Sequence, residues 1–173
     1  VQAGQGFGTH PHNNMEIITI VLSGALEHKD SMGNIGVIRD NEVQVMSAGK
    51  GLQHSEYNHS ASESVSFFQL WIIPNERNVV PRYEQKQFDW NAIKNAWQSV
   101  VTSVDEKEGL WIHQNAWIHR GKFDAGTTTN HQLKNKNNGV FVMVISGSVK
   151  ISENILNERD AIGLADITEF SLI

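Results

Sequence analysis

Cysteine is absent from this sequence of 173 residues. The absence excludes disulfide bonds, thiolate nucleophiles and cysteine-based zinc sites, because each of them needs a cysteine sulfur. A chain without cysteine also fits a reducing compartment, and we expect a cytoplasmic protein.

Basic residues are few and dispersed. Lysine and arginine number 14 against 19 aspartates and glutamates, which gives a net charge of −5 with histidine neutral. Without a basic run we expect no direct binding to nucleic acid, which depends on the neutralisation of phosphates. No apolar run approaches the roughly 20 residues of a membrane-spanning helix, so we expect no membrane partner. The remaining composition, 39% hydrophobic and 19% charged, is that of a globular chain.

Short runs of β-branched and aromatic residues recur between turn residues, which predicts an all-β fold, either a barrel or a sandwich. The runs lie at residues 17–22, 25–29, 35–38, 43–46, 64–73, 99–104, 110–113, 116–123, 140–146, 149–152 and 161–164. In the longest of them, 64–73, either one face lines the ligand cavity or both faces pack in the core, and we expect the latter. Residues 75–95 differ, because they contain Pro81 and lead into the one weakly helical run, Trp90–Trp97. We interpret them as the connection between two halves.

Two stretches each place two candidate metal ligands one residue apart, as His10-x-His12 and as His54-x-Glu56. Side chains alternate between the faces of an extended strand, so residues i and i+2 point the same way. If the two stretches lie near each other in one sheet, all four ligands converge on one side of it. Three imidazoles and one carboxylate suit iron, nickel, copper, zinc or manganese. The sequence therefore predicts a metal site.

The same stretches resemble known motifs. Gly4-x5-His10-x-His12-x3-Glu16 resembles the first motif of the cupin superfamily, and Gly51-x2-His54-x3-Asn58 resembles the second. More narrowly, the chain resembles the pirin family at residues 10–12, 26–34, 44–51, 54–56 and 69–71, and its bacterial branch at 81–85 and 112–116. The motifs are dense over residues 4–88, whereas residues 98–173 match only in their general pattern.

The resemblance implies an all-β bicupin, in which two jelly-roll barrels follow each other and the first binds one metal. The four ligands of the family map onto His10, His12, His54 and Glu56. Ordinary cupins take the carboxylate from the first motif, which is Glu16 here. We interpret Glu16 as a residue behind the ligands that orients an imidazole or supports the structure. The expected metal is Fe(II), with nickel, copper, manganese and zinc as alternatives.

The resemblance also divides the chain. It implies an N-terminal metal-binding barrel at residues 1–88, a linker at 89–97 and a C-terminal barrel without a metal site at 98–173. The sequence lacks an initiating Met and ends inside a strand-like run at 169–173. We therefore expect the first strands of one barrel and the last strands of the other to be missing. The proline usual in the second cupin motif is replaced by Gly49, a departure that pirins share.

Bacterial members of the family are associated with cleavage of flavonols such as quercetin by dioxygen, so the resemblance implies a quercetin 2,3-dioxygenase-like enzyme. A flavonol offers a 3-hydroxyl and a 4-carbonyl to an open metal position, and a base must remove the hydroxyl proton. Glu56 is the candidate base, because a carboxylate at the metal can serve as both ligand and proton acceptor. The alternative is a metal-binding protein without turnover that acts as a regulator or sensor through a protein partner.

The other histidines are assigned no metal. We expect His28 to lie at the surface or to stabilise the turn that follows it, and His59 to be solvated. His113, His119 and His131 have no candidate ligand two residues away.

Overall fold

A computed structural model describes residues 1–91, 93–104, 106 and 108–173. All regular secondary structure in these residues is β-strand, which confirms the predicted all-β class, and no helix long and apolar enough to cross a bilayer occurs among them. The strands are β1 (Gly6–His12), β2 (Glu16–Ser23), β3 (Ala25–Asp30), β4 (Ile35–Arg39), β5 (Glu42–Ser47), β6 (Leu52–Asn58), β7 (Ser66–Ile72), β8 (Arg82–Gln87), β9 (Ala96–Ser103), β10 (Leu110–Ile112), β11 (Ile118–Lys122), β12 (Thr129–Gln132), β13 (Val140–Met143), β14 (Ser148–Ile151), β15 (Asn154–Asn157), β16 (Ala161–Leu164) and β17 (Glu169–Leu172).

The chain divides into two compact units. The first comprises Val1–Ala92 and Ser99–His119, and the second comprises Ile93–Gln98 and Arg120–Ile173. In the first unit, eight strands form two four-stranded antiparallel sheets in the orders β1-β6-β3-β4 and β7-β2-β5-β8. Two such sheets are the arrangement expected of a jelly roll.

Apolar side chains from both sheets form the interior of the first unit. Val21 and Phe67 of the β7-β2-β5-β8 sheet meet Leu26 and Ile38 of the other sheet in one cluster. Full burial of a side chain such as Leu26 or Ile38 contributes about 1.5–3 kcal/mol to folding. This contact holds the two sheets face to face and thereby fixes which side chains of one sheet can reach those of the other.

The opposite face of the β7-β2-β5-β8 sheet is buried as well. Ile18, Val43 and Val45 on that face pack against Val101 and Leu110 of the same unit. Because β2 is covered on both faces, its sequence reads as an almost unbroken apolar run rather than as an alternating one.

The second unit contains three antiparallel strand pairs, β12 with β17, β13 with β16 and β14 with β15. Its apolar cluster is built on Val144, Ile151, Leu156 and Leu172. This unit therefore has a core of its own.

The weakly helical run predicted at Trp90–Trp97 is wrong for its described residues. Ala96 and Trp97 begin β9, the described residues before them form no regular element, and Ala92 lies outside the described residues. Trp97 packs against Phe123 with ring centroids 5.1 Å apart, so tertiary packing outweighs a weak local helix propensity. The two compact units interleave along the chain, and the domain boundaries at residues 88 and 98 stay a prediction.

Candidate metal centre

The two predicted ligand pairs lie on neighbouring strands. His10 and His12 belong to β1, and His54 and Glu56 belong to β6. The two strands pair antiparallel, with His10 directly opposite His54. Residues opposite each other in a sheet point to the same face, as do residues two apart in one strand. Strand alternation and this register together bring the imidazoles to one place.

The three imidazoles of His10, His12 and His54 meet closely. Their ring centroids lie 4.9 Å (His10–His12), 4.4 Å (His10–His54) and 4.9 Å (His12–His54) apart, and one nitrogen from each ring lies within 4.8 Å of the others. Nδ1 of His10 donates to the carbonyl oxygen of Gly8 at 2.8 Å, which leaves Nε2 with a free lone pair. Nε2 of His12 and both ring nitrogens of His54 are buried without a hydrogen-bond partner. Convergent, unpaired nitrogens fit a divalent transition metal.

Burial keeps the imidazoles of His12 and His54 neutral. It lowers the pKa of His54 to about 3, with smaller lowering effects from His10, His28 and His12 and an opposing one from Asp30. Burial, and then the charge of His10, also lowers the pKa of His12. A neutral imidazole presents a lone pair to a cation, so metal binding near neutral pH does not have to displace a proton from His12 or His54.

Glu56 lies in a second convergent set. Its carboxylate, a nitrogen of His54 and a nitrogen of His28 lie within 4.8 Å of one another. His54 is common to both sets, whereas no such set among the described residues contains His10, His12 and Glu56 together. Burial raises the pKa of Glu56, against smaller lowering effects from the hydrogen bond of Gln69 and the charge of His10. A raised pKa makes a carboxylate a stronger base.

The expectation that His28 lies at the surface is wrong. His28 is 0% exposed, its ring stacks on Tyr83 with centroids 4.8 Å apart, and its Nε2 lies 3.4 Å from Oδ2 of Asp30. The residue lies opposite Glu56 in the pairing of β3 with β6, and this register turns it inward. The sequence did contain a signal, because His28 and Asp30 have the same i,i+2 spacing as the two predicted ligand pairs.

Asp30→Ala is expected to lower the free energy of unfolding by about 2–4 kcal/mol. Asp30 is 6% exposed, and its carboxylate accepts hydrogen bonds from the backbone of Met32 and from the backbone and side chain of Asn34 at 2.8–3.0 Å. Urea unfolding measures the loss. The control is Asp40→Ala at an exposed turn position, which should stay within about 0.5 kcal/mol of the wild type. Equal losses at both positions would contradict the prediction.

Wild type and Asp30→Ala together also test how the contribution of Asp30 to stability depends on pH. Burial by itself raises the pKa of Asp30, but the hydrogen bonds from Asn34, His28 and Met32 outweigh it and hold the pKa below its ordinary 3.8. A carboxylate with a lowered folded-state pKa stabilises the protein above its unfolded-state pKa, and the effect is lost as pH falls through the folded-state value. The difference in the free energy of unfolding between wild type and Asp30→Ala should therefore become smaller as the pH falls below 3.8.

Glu16 is fully buried at the start of β2. Its carboxylate accepts a hydrogen bond from Oγ of Ser47 at 2.7 Å and lies 3.2 Å from Nδ1 of His113. These contacts tie β2 to β5 and to the segment after β10, which is a structural role. Orientation of a ligand imidazole by Glu16 stays a prediction.

Gln69 and Trp71 correct the expectation for residues 64–73. The sequence favours core packing there for both faces, with one face lining the ligand cavity as the alternative, whereas Trp71 is 58% exposed and its ring centroid lies 5.1 Å from that of His12. Nε2 of Gln69 donates to both carboxylate oxygens of Glu56, at 2.9 and 2.8 Å. The i,i+2 spacing of Gln69 and Trp71 does place them on one face of β7, but only the packing of the two sheets decides that this face meets the histidines.

Comparisons with known proteins agree with this geometry. The family model described as pirin matches residues 1–72, and the one described as quercetinase C-terminal cupin domain matches residues 99–173. The chain is 40% identical over 173 residues to quercetin 2,3-dioxygenase of Escherichia coli strain K12, covering 99% of this chain and 73% of that protein. The chain belongs to the pirin family. As a pirin it has two cupin domains, and the predicted resemblance is confirmed.

Solved structures of related pirins have the same fold. The crystal structure of YhhW from Escherichia coli matches with a TM-score of 0.92 at 38% identity, covering 99% of this pirin and 72% of that chain. The bacterial pirin YhhW in complex with nickel(II), also from Escherichia coli, matches with a TM-score of 0.91 at 37% identity over the same shares. A protein of Zymomonas mobilis named as a putative quercetin 2,3-dioxygenase is 39% identical over 170 residues, or 96% of this chain and 71% of that protein. These matches confirm the predicted bicupin fold.

Proposed function

We propose that this pirin is a metal-dependent dioxygenase of the quercetinase type, which cleaves the ring of a flavonol-like substrate with dioxygen. The observation that carries the proposal is the convergence of the imidazoles of His10, His12 and His54 beside a buried carboxylate, with Nε2 of His12 and both ring nitrogens of His54 lacking a hydrogen-bond partner. A relative at 40% identity is named quercetin 2,3-dioxygenase, which supports the choice of reaction.

We propose His10, His12, His54 and Glu56 as the residues that hold the metal. The three imidazoles offer nitrogen ligands, and the carboxylate of Glu56 lies within 4.8 Å of a ring nitrogen of His54, which is one of the three. This donor set accepts Fe(II), our first choice, and also nickel, copper, manganese or zinc. A pirin of Escherichia coli has been crystallised with nickel(II), so nickel belongs in any test. When bound, the metal would supply a Lewis-acidic position for the oxygens of the flavonol and for dioxygen.

Glu56 is the proposed base. Its carboxylate takes the proton of the flavonol 3-hydroxyl, and the electron pair of that bond stays on the flavonol oxygen. Burial raises the pKa of Glu56, which favours proton transfer to it. Gln69 donates to both oxygens of the carboxylate and so orients it, which leaves a further lone pair on each oxygen, one for the metal and the other for the incoming proton.

Glu56→Gln is expected to lower quercetin-dependent dioxygen uptake roughly 100- to 10,000-fold, because an amide cannot accept the proton. Uptake would be measured on protein loaded separately with Fe(II), nickel, copper, manganese and zinc, with bound metal quantified for every sample. The matched control is Glu27→Gln, which changes a carboxylate 48% exposed on β3 and should leave uptake unchanged.

Two results would contradict the proposal. Full metal occupancy without dioxygen uptake for any of the five metals would contradict the dioxygenase activity. A pull-down with and without metal would then test the alternative, a regulator that acts through a protein partner. Undiminished dioxygen uptake by a metal-loaded Glu56→Gln variant would be consistent with the dioxygenase activity but would show that Glu56 is not the base.

A further inference from the structure

We propose that Trp71 forms an aromatic subsite, in which a planar ring of the substrate stacks beside the histidine cluster, and that Gln69 links this ring to Glu56. The inference deepens the proposed function and rests on it in one respect, namely that the substrate is a planar aromatic molecule bound at the cluster. It assigns to this pirin a specificity-determining residue, Trp71, and a positioning residue, Gln69.

The exposure of Trp71 is the first observation. Trp71 lies opposite Ile17 and Gln69 lies opposite Thr19 in the pairing of β7 with β2, so they share the inner face of the sheet. Phe67, on the same face, packs in the apolar interior, whereas the indole of Trp71 is 58% exposed. An indole is among the largest apolar surfaces that a side chain offers, and a ligand that covers it gains the corresponding burial.

The position of the indole is the second observation. Its ring centroid lies 5.1 Å from that of His12, with the two planes 76° apart. The indole therefore borders on the three-imidazole cluster rather than on a distant surface. Aromatic rings attract each other at centroid separations of about 4.5–7 Å. A planar ring system that places oxygen atoms at the cluster would come within this range of Trp71.

The hydrogen bonds of Gln69 are the third observation. Nε1 of Trp71 donates to Oε1 of Gln69 at 3.1 Å, and Nε2 of Gln69 donates to the two oxygens of Glu56. An indole nitrogen can only donate and a carboxylate can only accept, so the amide of Gln69 has a single orientation that satisfies both neighbours. Trp71 thus fixes the amide, and the amide fixes the carboxylate.

Substitutions of Trp71 and Gln69 should therefore affect ligand affinity and catalytic efficiency separately, which would not be expected if Trp71 only supported the fold. The indole surface should govern the affinity for an aromatic ligand, and the chain of hydrogen bonds should govern the efficiency of Glu56. Trp71→Leu removes the aromatic surface and the N–H together. Trp71→Phe retains an aromatic ring, smaller than the indole, and removes the N–H. Gln69→Met retains the length of the side chain and removes the link to Glu56.

Binding is tested first, on full-length protein loaded with zinc under nitrogen. Quercetin is titrated by absorbance, and acetohydroxamate, which offers two oxygens and no aromatic ring, is titrated in parallel by competition. Trp71→Leu is expected to weaken quercetin about tenfold and to change acetohydroxamate less than twofold. Trp71→Phe and Gln69→Met are expected to remain within about threefold of the wild type for both ligands.

Steady-state kinetics with quercetin then separates the roles. Trp71→Leu should raise KM about tenfold and also lower kcat, because the N–H that fixes Gln69 is lost together with the indole surface. Trp71→Phe should lower kcat with KM within about threefold of the wild type, and Gln69→Met should lower kcat at least about tenfold with little change in KM. The control is Phe141→Leu, which removes an aromatic ring that is 73% exposed in the second unit and should change neither constant. Zinc content and far-UV circular dichroism identify variants that have lost the metal site or the fold. If Trp71→Leu is among them, Trp71→Phe is the milder substitution at the same position.

Each outcome decides between the two proposals. Unchanged quercetin affinity in a folded, zinc-loaded Trp71→Leu variant overturns the subsite, even if the wild type is a dioxygenase. Equal weakening of quercetin and acetohydroxamate overturns it as well, because the loss would then concern the metal and not the ring. Trp71-dependent quercetin binding without dioxygen uptake for any metal would support the subsite and overturn the dioxygenase.

Discussion

Replacement of His54 by alanine is expected to weaken the binding of a divalent transition metal at least about 100-fold, since even residues that only support a ligand are worth about 10- to 100-fold. His54 is the residue common to both convergent sets, one with His10 and His12 and the other with His28 and Glu56. It is 1% exposed, and neither of its ring nitrogens has a hydrogen-bond partner in the protein. Its removal therefore leaves neither set complete.

Isothermal titration with zinc and with nickel measures this effect, together with the metal content of dialysed protein. His59→Ala is the matched control, because His59 follows the end of β6, its side chain is 43% exposed, and Nδ1 lies 3.2 Å from Glu27 at the surface. The control should bind metal as the wild type does. A His54→Ala protein that is folded and retains wild-type affinity would place the metal elsewhere in the chain.

The metal-free His54→Ala protein should remain folded. The ring makes no hydrogen bond, and removal of a buried polar group without a partner deletes a desolvation cost along with the contacts. Thermal unfolding of the metal-free proteins checks this point. A lower melting temperature for His54→Ala without metal would mean that the ring also supports the sheet.

Gly49→Ala is expected to lower the free energy of unfolding by about 3 kcal/mol or more, and with it the yield of folded protein. Gly49 has a φ of +46°, and a Cβ atom built on it would lie 2.1 Å from the backbone oxygen of Val79. The backbone of Lys50 donates to that same oxygen at 3.0 Å, so Val79 cannot move away without losing a hydrogen bond. Steric overlap and backbone strain add up at this position.

The matched control for this effect is Gly33→Ala. Gly33 also has a positive φ, +95°, but a Cβ atom there would meet nothing within 4 Å. Strain alone should cost about 1 kcal/mol at this turn. Urea unfolding of both variants separates the two causes. Equal losses would show that the close approach of Val79 is relieved by a small shift of the loop.

The geometry of Gly49 explains a feature of the sequence. The proline usual at this position of the second cupin motif holds φ near −65°, which is incompatible with the +46° found here. The turn instead brings the backbone of Ala48 and Gly49 against the chain before β2, where Ala48 donates to Met15 and Asn14 donates to Gly49, each at 2.8 Å. The loop that leads into β6, and so to His54, is held in this way.

The alternation of side chains along a strand explains why much of this site could be predicted. His10 and His12 share a face by the period of two, as do His54 and Glu56, and the structure brings the three histidines together. The same rule would have placed Gln69 and Trp71 together. It could not reveal their partners, because Gln69 reaches Glu56 from a different sheet.

His28 and the residues before β9 are places where the local sequence led to a wrong expectation. A polar segment next to a turn is typical of the surface, yet pairing with β6 carries His28 into the interior. The local preference of residues 90–97 for helix is weak, and the packing of Trp97 in an apolar cluster outweighs it. Local sequence thus failed where a contact distant in sequence supplied the larger energy.

The sequence by itself determined the all-β class, the pirin resemblance and the face on which each candidate ligand lies. The fold class and the shared faces follow from composition and from the strand period of two, which act over a few residues, whereas the resemblance rests on motifs such as residues 10–12 and 54–56. The tertiary structure alone decided which faces meet, placing His28 and Gln69 at Glu56 and Trp71 beside His12. The reason is physical: strand register and sheet packing depend on turns and on apolar burial between segments far apart in the chain.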